Sequence, residues 1–134
     1  MIKQPDKKMS SDKAAPTHIL VIDDDPIFRS LITHAGKSRN IEVTACSNLN
    51  EVKPMAVPKL FDAAIVDYYL EDFKSHLKGT HVACALEGTP ILLVSQSNDC
   101  VEANEFWPSS IRKFVTKQIG VDRILDEIKT ITEK

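Results

Sequence analysis

From Thr17 onward, short unbroken apolar runs alternate with stretches in which apolar residues recur every three or four positions, and no period of 20 to 50 residues repeats. His18 to Ile22 is a β-rich run ended by three aspartates, the pattern of a strand buried on both faces. Pro26 suits the first turn of a helix carrying Ile27, Phe28, Leu31 and Ile32 at helical spacing. Ile41 to Ala45 predicts a second strand. Asn48 or Asn50 can cap a helix to about Val57, shortened or kinked by Pro54. Ala63 to Val66 is a third run, ended by Asp67. Residues Tyr68 to Lys78 read as loop before Thr80 caps a helix with Val82, Ala83 and Leu86, which Gly88-Thr89-Pro90 breaks. Ile91 to Val94 is the fourth run, ended by Ser95, and a helix from about Asn98 to Phe106 stops before Pro108. Phe114-Val115 predicts the fifth strand, ended by Thr116-Lys117. The last helix, from about Val121 to Glu133, carries Val121, Ile124, Leu125, Ile128 and Ile131 on one stripe. Such alternation predicts an α/β fold: a five-stranded parallel sheet with helices on both faces.

The chain has 134 residues, 43% apolar and 27% charged, enough for one domain with a real core. Residues Met1 to Pro16 hold Lys3, Lys7, Lys8 and Lys13 but lack the apolar content that offsets ordering entropy or makes a secretory signal, so residues 1–16 are expected to be a disordered tail and 17–134 the domain. A net charge of -2 leaves no basic excess, so direct nucleic-acid binding is not expected. Cys46, Cys84 and Cys100 form no Cys-x-x-Cys pair, and no segment reaches the roughly 18 apolar residues that span a bilayer. The expected setting is the cytoplasm, with no membrane contact.

The chemistry collects where strands end. In parallel α/β sheets ligands sit beyond the carboxyl ends of the strands. Those ends carry Asp23, Asp24 and Asp25 after the first strand, Asp67 after the third, Ser95 after the fourth and Lys117 after the fifth. Carboxylates crowded at one point disfavour one another's ionisation, and a divalent cation relieves the crowding. An all-oxygen donor set suits Mg²⁺, which keeps part of its water shell and completes it with phosphate oxygens.

In order and spacing, Ile19 to Pro26, Asp62 to Asp67, Pro90 to Ser95 and Phe114 to Lys117 resemble the receiver domains of two-component response regulators, over about Thr17 to Thr132. The resemblance implies a flavodoxin-like sheet in strand order 2-1-3-4-5. It implies that Asp67 accepts a phosphoryl group from a histidine kinase or histidine phosphotransfer protein. It further implies that Asp23, Asp24, Asp67 and the backbone carbonyl of Tyr69 hold Mg²⁺. Ser95 then matches the switch hydroxyl, Lys117 the lysine that contacts phosphoryl oxygens, and Phe114 an aromatic rotamer switch. Such a module is a phosphoacceptor with slow self-dephosphorylation, not a true enzyme. Because the chain ends just after the last helix, output is expected through a downstream partner protein or a relay, from a monomer or weak homodimer.

The chain departs from the family's common pattern in four places. Eleven residues separate Asp67 from Gly79, without the usual Met-Pro pair; Gln118 follows the lysine in place of proline; Gln96 follows the hydroxyl in place of a small residue; and Tyr69 is large. Tyr69 and Gln96 are expected to line the approach of water to Asp67 and to slow loss of the phosphoryl group. Two alternatives stand beside this reading. One is a degenerate receiver used as a docking platform. The other is a small haloacid-dehalogenase-type phosphatase, matched by Asp23-Asp24-Asp25, Ser95 and Lys117, but with only Asp122 and Asp126, on a predicted helix, to supply its further acidic pair.

Overall fold

A computed structural model of the chain describes residues 15–48, 51, 60–68, 88–96 and 109–133. Its elements are β1 (Thr17–Ile22), α1 (Pro26–Lys37), β2 (Ile41–Cys46), β3 (Ala63–Asp67), β4 (Ile91–Ser95), β5 (Ile111–Thr116), a 3₁₀ turn (Lys117–Ile119) and α2 (Val121–Thr132). The strands form one sheet in the order β2-β1-β3-β4-β5, every neighbouring pair parallel. This is the 2-1-3-4-5 order the resemblance implied.

The central strands are apolar throughout because both of their faces are covered. Ile19 to Ile22, Ala63 to Val66 and Ile91 to Val94 are all buried, and alternate residues feed two cores. Leu20, Ile22, Ala64, Val66, Ile91 and Leu93 share one face with Cys46 and Tyr68, and Phe114 packs at its margin. Ile19, Val21, Ile65, Leu92 and Val94 share the other, where Phe28 and Ile32 of α1 meet Ile124, Leu125 and Ile128 of α2. Each such fully buried side chain contributes roughly 1.5–3 kcal/mol. The expected tail, apart from Ala15 and Pro16, lies outside the described residues, as do the helices expected around Thr80 and from Asn98 to Phe106.

Local chemistry sets the element ends. Asp25 caps α1, its carboxylate accepting from the Ile27 amide at 2.9 Å, and Pro26 follows at the position where no amide is needed. Of the two candidate caps Asn50 lies outside the described residues; the Asn48 side chain accepts from the Glu51 amide, while the Glu51 carboxylate accepts from the Ser47 amide at 2.7 Å. Gly36 lets α1 close on β2, since a Cβ there would stand 3.0 Å from the Ile41 carbonyl. Gly120 joins the 3₁₀ turn to α2 at φ 96°, a backbone region that side chains strain to enter.

Of the four apolar residues at helical spacing in α1, Phe28 and Ile32 face the sheet, whereas Ile27 and Leu31 are 68% and 51% exposed. The four positions span two neighbouring rows of the helix, and the sheet covers one. The fifth strand begins at Ile111, three residues earlier than its apolar pair suggests, because an edge strand tolerates the exposed Arg112 and Lys113. A bulge at this point lets Ile91 pair with Ile111 and Leu92 with Lys113, leaving Arg112 extra. The Lys113 ammonium reaches Glu127 of α2 at 2.8 Å.

Burial pushes the Cys46 thiol up to about 11, with Glu51 adding to the rise and Arg29 opposing it. Alkylation at mildly alkaline pH should therefore reach Cys46 only as the sheet opens, its modified fraction rising in step with denaturation when followed by peptide mass mapping. Modification in the folded protein would contradict this packing.

Candidate functional site

The parallel register brings the strand ends level. Ile22 pairs with Val66 and Cys46, Asp67 with Val94, and Ser95 with Thr116. The next residues along each strand therefore crowd one edge of the sheet. Asp23 extends the ladder by one bond, its amide donating to the Cys46 carbonyl at 3.0 Å. Ligand oxygens of Asp23, Asp24 and Asp67 all lie within 4.8 Å of one another.

Asp23 is fully buried and Asp67 nearly so, at 7% exposure; Asp24 is half-buried. Each polar atom of Asp23 is held. Oδ1 accepts from the Asp25 amide at 2.9 Å, the backbone carbonyl accepts from the Arg29 guanidinium at 2.7 Å, and Oδ2 forms an ion pair with Lys117 Nζ at 2.7 Å. Beyond that ion pair, Oδ2 has no hydrogen-bond partner among the described residues. Lys117 is itself 10% exposed, and its ammonium stands 4.6 Å from the centroid of the Phe28 ring.

The sequence thus anticipates most of the group: Asp23, Asp24, Asp67 and Lys117 converge, and Ser95 is buried at the end of β4. Phe114 lies on β5 opposite Leu93, partly buried against the face that holds Tyr68. Tyr69 lies outside the described residues. Gln96 is exposed, and its backbone carbonyl accepts from the Gln118 side chain at 3.1 Å, so two of the unusual residues are joined. Phe28 and Arg29 were missed as site residues. Phe28 was legible only as an apolar residue one turn beyond the acidic cluster, and nothing in the local sequence pairs Arg29 with a carbonyl. Asp122 and Asp126 are occupied elsewhere, by Arg39 at 3.8 and 2.8 Å.

The donors fit Mg²⁺. Three carboxylates within reach of one another, one of them with a buried oxygen short of partners, make a hard, all-oxygen set that a divalent cation satisfies. Burial pushes the Asp23 carboxyl above its ordinary 3.8; Lys117 and the Asp25 amide oppose that rise, and Asp24 adds to it. A carboxyl raised in the fold contributes stability that is fully present below its unfolded value and lost as pH rises through its folded one. In chelator, the stability of wild type relative to Asp23→Asn should therefore decline as pH rises from about 4 to 7 by urea unfolding. A difference flat across that range would contradict the burial of an ionisable group at this position.

Comparison with known proteins agrees with this arrangement. The response regulator receiver domain family matches residues 19–129. A comparison with curated protein sequences gave no match. Among solved structures, the response regulator TrrA from Thermotoga maritima in complex with Mg²⁺ and BeF is similar at 20% identity and a TM-score of 0.69, over 86% of this chain and 98% of that one. TrrA in complex with the histidine kinase ThkA gives the same identity and score, over 87% of this chain and 99% of that one. The chemotaxis protein CheY4 of Vibrio cholerae is 18% identical with a TM-score of 0.65, over 87% and 99%. No helix among the described residues is long and apolar enough to cross a membrane. With the family matched from β1 into α2 and the acidic cluster at the carboxyl end of its sheet, the chain belongs to the response regulator receiver domains, the phosphoacceptor modules of two-component signalling.

Proposed function

We propose that Asp67 is the residue that takes the phosphoryl group, from a histidine kinase or histidine phosphotransfer protein, and that Asp23, Asp24, Asp67 and the Tyr69 carbonyl hold the Mg²⁺ the reaction requires. The observation that carries this reading is the meeting of three carboxylates and one ammonium at a single sheet edge. In the transfer, an Asp67 oxygen forms the new P–O bond as the donor's P–N bond breaks. The electron pair leaves with the imidazole, whose other ring nitrogen carries a proton, so the ring ends neutral. Such a reaction is governed by alignment and by neutralisation of the three equatorial oxygens. Lys117 supplies a fixed positive charge, Ser95 a hydroxyl donor, and bound Mg²⁺ would supply charge neutralisation. Asp67 stays within the sheet and needs no general base, because a carboxylate is already the nucleophile.

Signal output then follows a shift of Ser95 and Phe114, read by a downstream protein from a monomer or weak homodimer in the cytoplasm. The degenerate-receiver alternative differs at one point, since it needs no phosphoryl uptake.

Incubation with Mg²⁺ and acetyl phosphate should add one phosphoryl mass to Asp67, and Asp67→Asn should abolish it without loss of fold. Millimolar Mg²⁺ should raise the melting temperature of wild type by mass action, and Asp24→Ala should lose that response. No labelling of a folded protein would leave the docking reading in its place, and labelling at Asp23 would support the phosphatase reading. Self-dephosphorylation should be slow, and Gln96→Ala should shorten the phosphoryl lifetime by opening the approach of water. A longer lifetime in that variant would assign Gln96 the opposite role, orienting the water.

A further inference from the structure

We infer that Phe28 is a positioning residue for phosphoryl transfer, holding the Lys117 ammonium at the site through the face of its ring; this rests on the reading of Asp67 as acceptor. Phe28 follows Asp24 by four residues, is the third residue of α1, and is buried on the helix's sheet side. Its centroid stands 4.6 Å from Lys117 Nζ, inside the roughly 6 Å over which a ring's negative face attracts a cation. The ammonium therefore lies between two groups from one short stretch of chain: the Asp23 carboxylate at 2.7 Å and the Phe28 ring. With the side chain 10% exposed, water contributes little to its placement.

The two holds differ in what the reaction does to them. Asp23 belongs to the acidic cluster, and whatever negative charge it shares with a divalent cation is withdrawn from the lysine. The ring offers no oxygen to a hard cation, so its attraction for the ammonium persists when that of Asp23 weakens. Lysine has a long stem with many rotamers, and a charge displaced by about 1 Å forfeits much of its effect on a transferring group. Phe28 thus keeps Lys117 in place at the stage when the carboxylate no longer suffices. Arg29, next along α1, anchors the same cluster from the other side through the Asp23 carbonyl.

The test uses the full chain with one, two or three fluorines on the Phe28 ring, a series that drains the ring's negative face at nearly constant shape. Initial rates of Asp67 phosphorylation from acetyl phosphate in saturating Mg²⁺ should fall stepwise along the series, while the urea midpoint stays constant. Phe28→Leu should lower the rate about threefold to tenfold, the range a partly desolvated cation–π contact supports. In metal-free protein, the Lys117 ε-methylene protons should be shifted upfield by the ring in wild type and return to their ordinary position in Phe28→Leu. Rates that are level along the fluorinated series, from an active wild type, would reduce Phe28 to a packing residue and leave the Asp67 reading intact. An unshifted ε-methylene signal in wild type would overturn the contact itself. No uptake by wild type would overturn the Asp67 reading and this role with it.

Discussion

The ion pair between Asp23 and Lys117 governs the working end of the molecule, because it sets a cation 2.7 Å from a carboxylate that has no solvent exposure and two further carboxylates beside it. A buried charge without a partner is among the costliest features a fold can carry, and removing one member of a buried pair typically destabilises by roughly 3–5 kcal/mol. The structure surrounds this one group accordingly. An amide from the next turn, a guanidinium on its carbonyl and an ammonium on its remaining oxygen all converge on Asp23. The same pair fastens the edge strand β5 to β1, although β3 and β4 lie between them in the sheet. At this edge the ends of β1 and β5 are thus joined by charge, whereas the strands below are joined by their ladders and by apolar burial.

The parts legible in the sequence are those where one physical demand acts alone. β1, β3 and β4 are covered on both faces, so they must be apolar at every position and stand out as unbroken runs. Asp67 and Ser95 were legible because each ends such a run, Lys117 because it follows the short Phe114-Val115 pair, and topology delivers them to a common edge. The illegible parts answer to two demands at once. β5 is an edge strand, and the charges that protect it from pairing with another chain also hide it from a search for apolar runs. Ile27 and Leu31 keep the helical spacing of core residues without being covered. The link from Phe28 to Lys117 depends on where a distant strand ends, so no local pattern records it.

Identities of 17–20% to solved receiver structures accompany nearly complete coverage of those chains. That combination is what a parallel sheet buried on both faces allows, since many apolar residues satisfy an interior strand. Gln96 and Gln118, two of the residues that depart from the family's common pattern, are joined by a hydrogen bond in this chain.

The bulge in β5 has a consequence for how the lysine is addressed. Strand side chains alternate between faces, so a one-residue slip reverses every side chain beyond it. With Arg112 looped out, Phe114 falls opposite Leu93, Thr116 opposite Ser95, and Lys117 leaves the strand toward Asp23. Removing Arg112 would take out the bulge and still leave Phe114 opposite Leu93 and Lys117 one residue beyond the Ser95–Thr116 pair. Pairing with β4 beyond the bulge, rather than spacing counted from the start of β5, is therefore the address by which the lysine reaches Asp23, and the bulge lets this exposed edge take up a change of length without moving it.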